Sequence, residues 1–137
     1  LFDTADGVIA LAVGNDQQFK TLCEKVMDRP DLARDERYVR NRDRVLNRGT
    51  LIPSLADEFR TRPTAAWIDA CRRHGVPAGQ VRSVPEALAA PEVAARGLVA
   101  EMPDARHGSL RLTASPLRLS ATPVRPPVAP PRLGEHT

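Results

Sequence analysis

Gly7-Val8-Ile9-Ala10-Leu11-Ala12-Val13-Gly14 is a short apolar run bounded by glycines, and its reading decides the fold. Its length and β-branched content predict a buried strand. Asn15 or Asp16 then caps a helix, because either side chain accepts from the orphan amides of a first turn. Phe19, Leu22, Cys23 and Val26 follow at i, i+3, i+4 and i+7, one stripe of an amphipathic helix that Arg29-Pro30 ends.

Working outward, residues 31–44 are dense in charge of both signs, with Leu32, Tyr38 and Val39 as apolar anchors, and read as a helical turn plus a surface loop. A long helix is expected from about Asn41 to Arg60, with Val45, Ile52, Leu55 and Phe59 on its buried face, Leu51 at the edge and a kink at Pro53. Thr61-Arg62-Pro63-Thr64 opens a third helix with Trp67, Ile68 and Cys71 buried, closed by His74-Gly75. Val76-Pro77-Ala78-Gly79 reads as a stiff loop. Ser83 and Glu86 have capping-box spacing before a short helix through Leu88, and Pro91 to Arg96 forms another, stopped by Gly97. Leu98–Met102 and Ser109–Thr113 alternate like the strands of a hairpin, joined through Pro103 to Gly108. From Pro116 onward proline dominates, which suits neither helix nor central strand and predicts an extended segment.

Composition bounds the partners. Aromatic residues make up only 4% of the 137 residues, so the expected core is small, aliphatic and divided among helices or shared with chain outside the sequence. A net charge of +3 with interspersed carboxylates requires no anionic partner. No stretch is long and apolar enough for a membrane helix, and no signal sequence opens the chain, which starts at Leu1 as a cut piece of a longer protein is expected to. Cys23 and Cys71, far apart on apolar helical faces, read as buried free thiols.

The candidate chemistry is sparse. His74, His107 and His136 are too scattered for a metal-ligand set. Ser54, Ser83, Ser109, Ser115 and Ser120 lack a nucleophile-elbow context, and the glycines of residues 7–14 match no phosphate loop. Arg34, Arg37, Arg40, Arg42, Arg44 and Arg48 form the one cluster that could bind a ligand, a phosphate above all. Asp31, Asp35, Glu36 and Asp43 offset it, and no aromatic platform for bases accompanies it. A solvated face, an ion-pair network and a phosphate site all remain open for that cluster.

A set of short stretches, in order and nearly end to end, resembles the CaiB/BaiF family, the class III CoA-transferases. These are Asp6-Gly7-Val8-Ile9-Ala10-Leu11 leading into Asn15-Asp16-Gln17-Gln18-Phe19, Leu22-Cys23, and Arg44-Val45-Leu46-Asn47-Arg48. Trp67 after Thr64-Ala65-Ala66, Gly75-Val76-Pro77-Ala78-Gly79, Pro91 with Arg96-Gly97, and the closing Pro130-Pro131-Arg132-Leu133-Gly134-Glu135-His136-Thr137 complete the set.

The resemblance implies an α+β fold: a mainly helical small domain with an N-terminal strand over residues 1–97, then a β-hairpin and a proline-rich extended segment over 98–137 returning to a large domain outside this sequence. It implies a cytoplasmic, interlocked homodimer that moves CoA between carboxylic acids through an aspartyl-CoA thioester, with CoA thioesters as substrates. The family's aspartate nucleophile and glycine-rich flap have no counterpart here. Asp3, Asp6 and Asp16 match no such role, so no catalytic residue, cofactor contact or metal ligand is assigned within the segment, and the segment alone is expected to be inactive. A 2-methylacyl-CoA racemase or carnitine-type transferase is the alternative within the family. A non-catalytic helical module binding nucleic acid or protein through its arginines is the alternative outside it.

Overall fold

Ile9 is fully buried at the centre of a three-stranded antiparallel sheet in the computed structural model, which describes residues 1–104, 106–126, 128–131 and 133–135. The sheet runs in the order β1 (Phe2–Asp3), β2 (Val8–Leu11), β3 (Ala78–Gln80). Phe2 pairs with Ile9 on one side, and Ile9 with Gln80 on the other.

The strand at β3 corrects the expectation of a loop over Val76 to Gly79. Gly75, at φ +67°, ends the preceding helix: its own amide donates to the Arg72 carbonyl at 3.3 Å and the Val76 amide to that of Cys71 at 2.9 Å. This turn sends Val76 into the core and delivers the Pro77 carbonyl to the Ala12 amide at 3.0 Å, where pairing with β2 begins. A three-residue strand is too short to display alternation. The two-residue β1 escaped sequence reading for the same reason.

Asn15 is the residue that caps α1 (Asp16–Thr21), its Oδ1 accepting from the Gln18 amide at 2.8 Å. The helix then widens into a π-helical turn, Leu22–Val26, closed by the Met27 amide on the Leu22 carbonyl at 2.9 Å. Phe19, Leu22, Cys23 and Val26 are buried, as their spacing requires. Asp28 follows at φ +56°, a left-handed position, and α2 (Pro30–Arg34) starts with proline in its first turn.

The single kinked helix expected over residues 41–60 is instead two, α3 (Asn41–Leu46) and α4 (Arg48–Phe59). The break is at Asn47, whose φ/ψ of −100°/18° leaves the helical basin while its side-chain amide donates to the Asp43 and Arg37 carbonyls. Pro53 lies inside α4 on an exposed face. The break also redistributes the apolar face. Leu51, Leu55 and Phe59 are buried, but Val45 is 61% and Ile52 45% exposed, a second correction.

The last helix of this unit, α5 (Thr64–Arg73), inserts Trp67 fully into the core. The Trp67 indole Nε1 donates to the Phe59 carbonyl at 2.8 Å, and its ring meets the Phe59 ring edge-on at 5.1 Å between centroids. Phe2 stacks on Phe59 from the other side at 4.8 Å. Phe19 and Tyr38 are buried in the same cluster, so the few aromatic rings of the chain concentrate here rather than leaving an aliphatic core.

The chain divides by its internal contacts into Leu1–Val81 and Arg82–Thr137. In the second unit α6 (Val84–Leu88) carries the full capping box. The Glu86 amide donates to the Ser83 hydroxyl, and the Ser83 amide to the Glu86 carboxylate at 2.7 Å. After α7 (Pro91–Ala95), Gly97 at φ +60° places its amide on Ala94 and that of Leu98 on Val93. The hairpin follows as β4 (Val99–Asp104) and β5 (Gly108–Thr113), each strand reaching further into the connection than expected. Of the described hydrophobic residues here only Ala90 and Met102 are buried. No helix or strand occurs among the described residues after Thr113. Ala105, Pro127, Arg132, His136 and Thr137 lie outside the described residues, and with them part of the closing motif.

Candidate functional site

The Asp6-Gly7 pair at the start of β2 acts on the first turn of α5. Pro63 occupies the cap position of that helix and offers no side-chain acceptor. Asp6 supplies one from across the chain: its Oδ1 accepts from the Thr64 amide at 2.7 Å, the Thr64 hydroxyl at 2.8 Å and the Thr4 hydroxyl at 3.3 Å. The two threonine hydroxyls, both buried, lie 2.6 Å apart. A Cβ on residue 7 would come within 3.0 Å of Thr64 Oγ1, so glycine is what permits the approach. The Thr64 amide, then its hydroxyl, holds the Asp6 carboxyl below the usual carboxylate range. With that oxygen held by the Thr64 amide and a threonine hydroxyl, the second hydroxyl proton bridging the two threonines, Asp6 is a tertiary helix cap.

Asp16 is likewise committed. Its Oδ1 accepts from Arg44 Nη2 at 2.7 Å, while Arg44 Nη1 donates to the Tyr38 and Val39 carbonyls at 2.9 and 3.0 Å. The Arg44 guanidinium also covers the Phe19 ring at 4.6 Å and is 8% exposed. Arg37 pairs with Asp35 at 2.7 Å and lowers that carboxyl, chiefly by the side-chain hydrogen bond. The arginine cluster of the sequence therefore splits. Arg37 and Arg44 are structural ion pairs, whereas Arg34, Arg40, Arg42 and Arg48 are exposed to solvent.

Beside Arg44 opens a groove of about 320 Å³ over β2 and α4, lined by Phe2, Leu11, Val13, Phe19, Leu22, Arg44, Val45, Arg48, Leu51 and Ile52. The sequence reading missed it because it counted Val45 and Ile52 as core. In the second unit a larger cavity of about 530 Å³ lies between α6 and the hairpin, lined by Val84, Pro85, Leu88, Ala89, Val99, Arg111, Leu112 and Thr113. Neither lining contains a carboxylate, imidazole, thiol or serine. Both are equipped to hold something apolar, with arginine at the edge.

The remaining candidates are dispersed. Ser54 donates to the Thr50 carbonyl, Ser83 belongs to its capping box, Ser109 donates to Glu101, and the Ser115 hydroxyl accepts from the Leu117 amide. His74 terminates α5 and His107 sits 2.7 Å from Asp104 at the hairpin tip, while His136 lies outside the described residues. Among the described residues no group of three or more metal-ligating side chains converges, and no helix is long and apolar enough to cross a membrane. Cys23 and Cys71 are free and buried. Burial pushes the Cys23 thiol up to about 12 and raises Cys71 as well, which keeps both protonated near neutrality.

The arrangement is matched along its whole length by known proteins. The family model of CoA-transferase family III matches residues 1–137. Succinyl-CoA:glutarate CoA-transferase of Homo sapiens is 36% identical over 136 residues, covering 99% of this chain and 31% of the relative. Succinate–glutarate CoA-transferase of Agrobacterium fabrum is 37% identical over 134 residues, 97% of this chain and 33% of the relative. A crystal structure of a CaiB/BaiF family protein from Brucella suis superposes with a TM-score of 0.80 at 30% identity, covering 98% of this chain and 34% of that one. The chain thus spans about a third of the length of the proteins it matches.

Proposed function

Since the chain belongs to CoA-transferase family III, we propose that it is the C-terminal part of an enzyme that moves CoA between carboxylic acids, and that it serves there as scaffold rather than as reacting centre. The observation that carries this reading is the family match over residues 1–137 by a chain that covers only about a third of its relatives' length. Residues 1–97 form the small domain, and residues 98–137 are the hairpin and proline-rich return toward a large domain. The complete protein is a cytoplasmic, interlocked homodimer.

In the complete enzyme an aspartate outside these residues attacks the acyl-CoA carbonyl and expels CoA thiolate, leaving a mixed anhydride. The thiolate adds to the aspartyl carbonyl and releases the donor acid, so that CoA is held as an enzyme thioester. The acceptor carboxylate and the thiolate then repeat the two exchanges in reverse order, regenerating the aspartate. Covalent catalysis replaces one hard exchange by several easier ones. Dicarboxylates are the first acceptors to examine, because succinate and glutarate stand in the names of two relatives.

The test is CoA exchange by the longer polypeptide between succinyl-CoA and free glutarate, followed as glutaryl-CoA by chromatography. Formation of glutaryl-CoA, or of another acyl-CoA across a panel of acids, is expected. Deuterium uptake at the α-carbon of a 2-methylacyl-CoA without any exchange would make the protein a racemase and end this reading.

A further inference from the structure

We infer that the groove beside Arg48 docks an amphipathic helix from the polypeptide beyond these 137 residues, one that sets a carboxylate opposite the Arg48 guanidinium. The inference rests on the reading of the chain as part of a longer CoA-transferase and adds to it the surface and chemistry of one internal contact.

Arg48 and Ile52, one turn apart at i and i+4 on α4, line the groove together with Val45 from the end of α3. Leu51, one residue from Ile52, turns into the core, but Val45 and Ile52 remain 61% and 45% exposed, and Leu46 beside them 71%. An open groove with apolar walls and an arginine on its rim is the receiving half of a helix-in-groove contact. A small molecule fits less well. At about 320 Å³ the groove is near the lower limit for a ligand site, and a bound ligand would be mostly enclosed, whereas these walls stand open.

Charge selects the occupant. Arg29, Arg37 and Arg44 each have a carboxylate within 2.8 Å. Arg48 has no such partner among the described residues, yet it lies on the rim of the groove. A helix laid over Val45 and Ile52 would dehydrate that guanidinium, which is costly unless an acid meets it. The relatives carry about two thirds of their length beyond the region matched here, so chain to supply such a helix is available.

The experiment uses the complete polypeptide with p-benzoylphenylalanine in place of Ile52, irradiated and digested for mass spectrometry, with CoA exchange measured on the same preparation. The expected adduct is a peptide outside residues 1–137 that contains Asp or Glu. Arg48→Glu should cut its yield roughly ten-fold or more, and Arg48→Lys should retain most of it. Both positions are exposed, so the substitutions leave the core intact. An adduct inside residues 1–137, from a second copy or the chain's own tail, overturns the inference, as does no adduct at all in a preparation that exchanges CoA. Loss of exchange with every acid, in unsubstituted protein, instead defeats the functional reading on which it rests.

Discussion

Asp6 and Thr64 stand 58 residues apart in sequence, and the bond between them fastens the sheet to the start of α5. The folded environment lowers the Asp6 carboxyl, so its contribution is present above the unfolded value near 3.9 and is lost as pH falls through the lower folded value. Asp6→Asn should therefore reduce the melting temperature at pH 7, and the gap to the parent should narrow as the melts are taken down toward pH 3. A gap that stays constant over that range would mean the charge is irrelevant to the cap. Asp28 makes the opposite case. Its φ of +56° is one that glycine adopts freely, and its neighbours already close the turn through the Arg29 amide on the Cys23 carbonyl at 2.7 Å. Asp28→Gly is expected to raise stability by up to about 1 kcal/mol in chemical denaturation.

At the scale of elements, α4 and α5 meet through Trp67 and Phe59. Trp67→Phe keeps an aromatic ring but removes the donor to the Phe59 carbonyl and some volume, and should cost about 2 kcal/mol by urea titration. Pro53 is an exposed interruption within α4, where an amide would address the Gly49 carbonyl. Pro53→Ala should stabilise the protein by on the order of 1 kcal/mol or more, read as a higher denaturation midpoint at unchanged slope. The elements legible in the sequence were those announced by local chemistry: the apolar stripe through Phe19 and Val26, the Ser83–Glu86 capping box, and the glycine stops at Gly75 and Gly97. The illegible ones depend on distant partners. β1 and β3 exist because β2 lies between them, and the break at Asn47 depends on a side chain reaching the Arg37 carbonyl.

For the whole molecule, the division at Val81–Arg82 separates a unit with a continuous aromatic core from one whose buried hydrophobics are Ala90 and Met102 among the described residues. Under the proposed function, the exposed Val84, Leu88 and Leu112 of the second unit, like Val45 and Ile52 of the first, would face polypeptide beyond these residues. This is also why the candidate site could be read only in outline. The order and spacing of short stretches carried the resemblance to the family, but residues within them (Asp6, Gly7, Trp67 and Gly75) turn out to cap, pack and turn the chain. Three readings stayed open for the arginines because sequence alone does not reveal that Arg44 is filled by Asp16 and two carbonyls.

Under the proposed function the carboxylate doing the chemistry lies outside these residues. Hydroxylamine added to the longer protein during turnover with succinyl-CoA converts an acyl-enzyme at a carboxyl side chain into a hydroxamate that peptide mapping locates. A single modified aspartate outside residues 1–137 is the predicted result, and a hydroxamate at Asp3, Asp6, Asp16 or any other acid of this chain would contradict it.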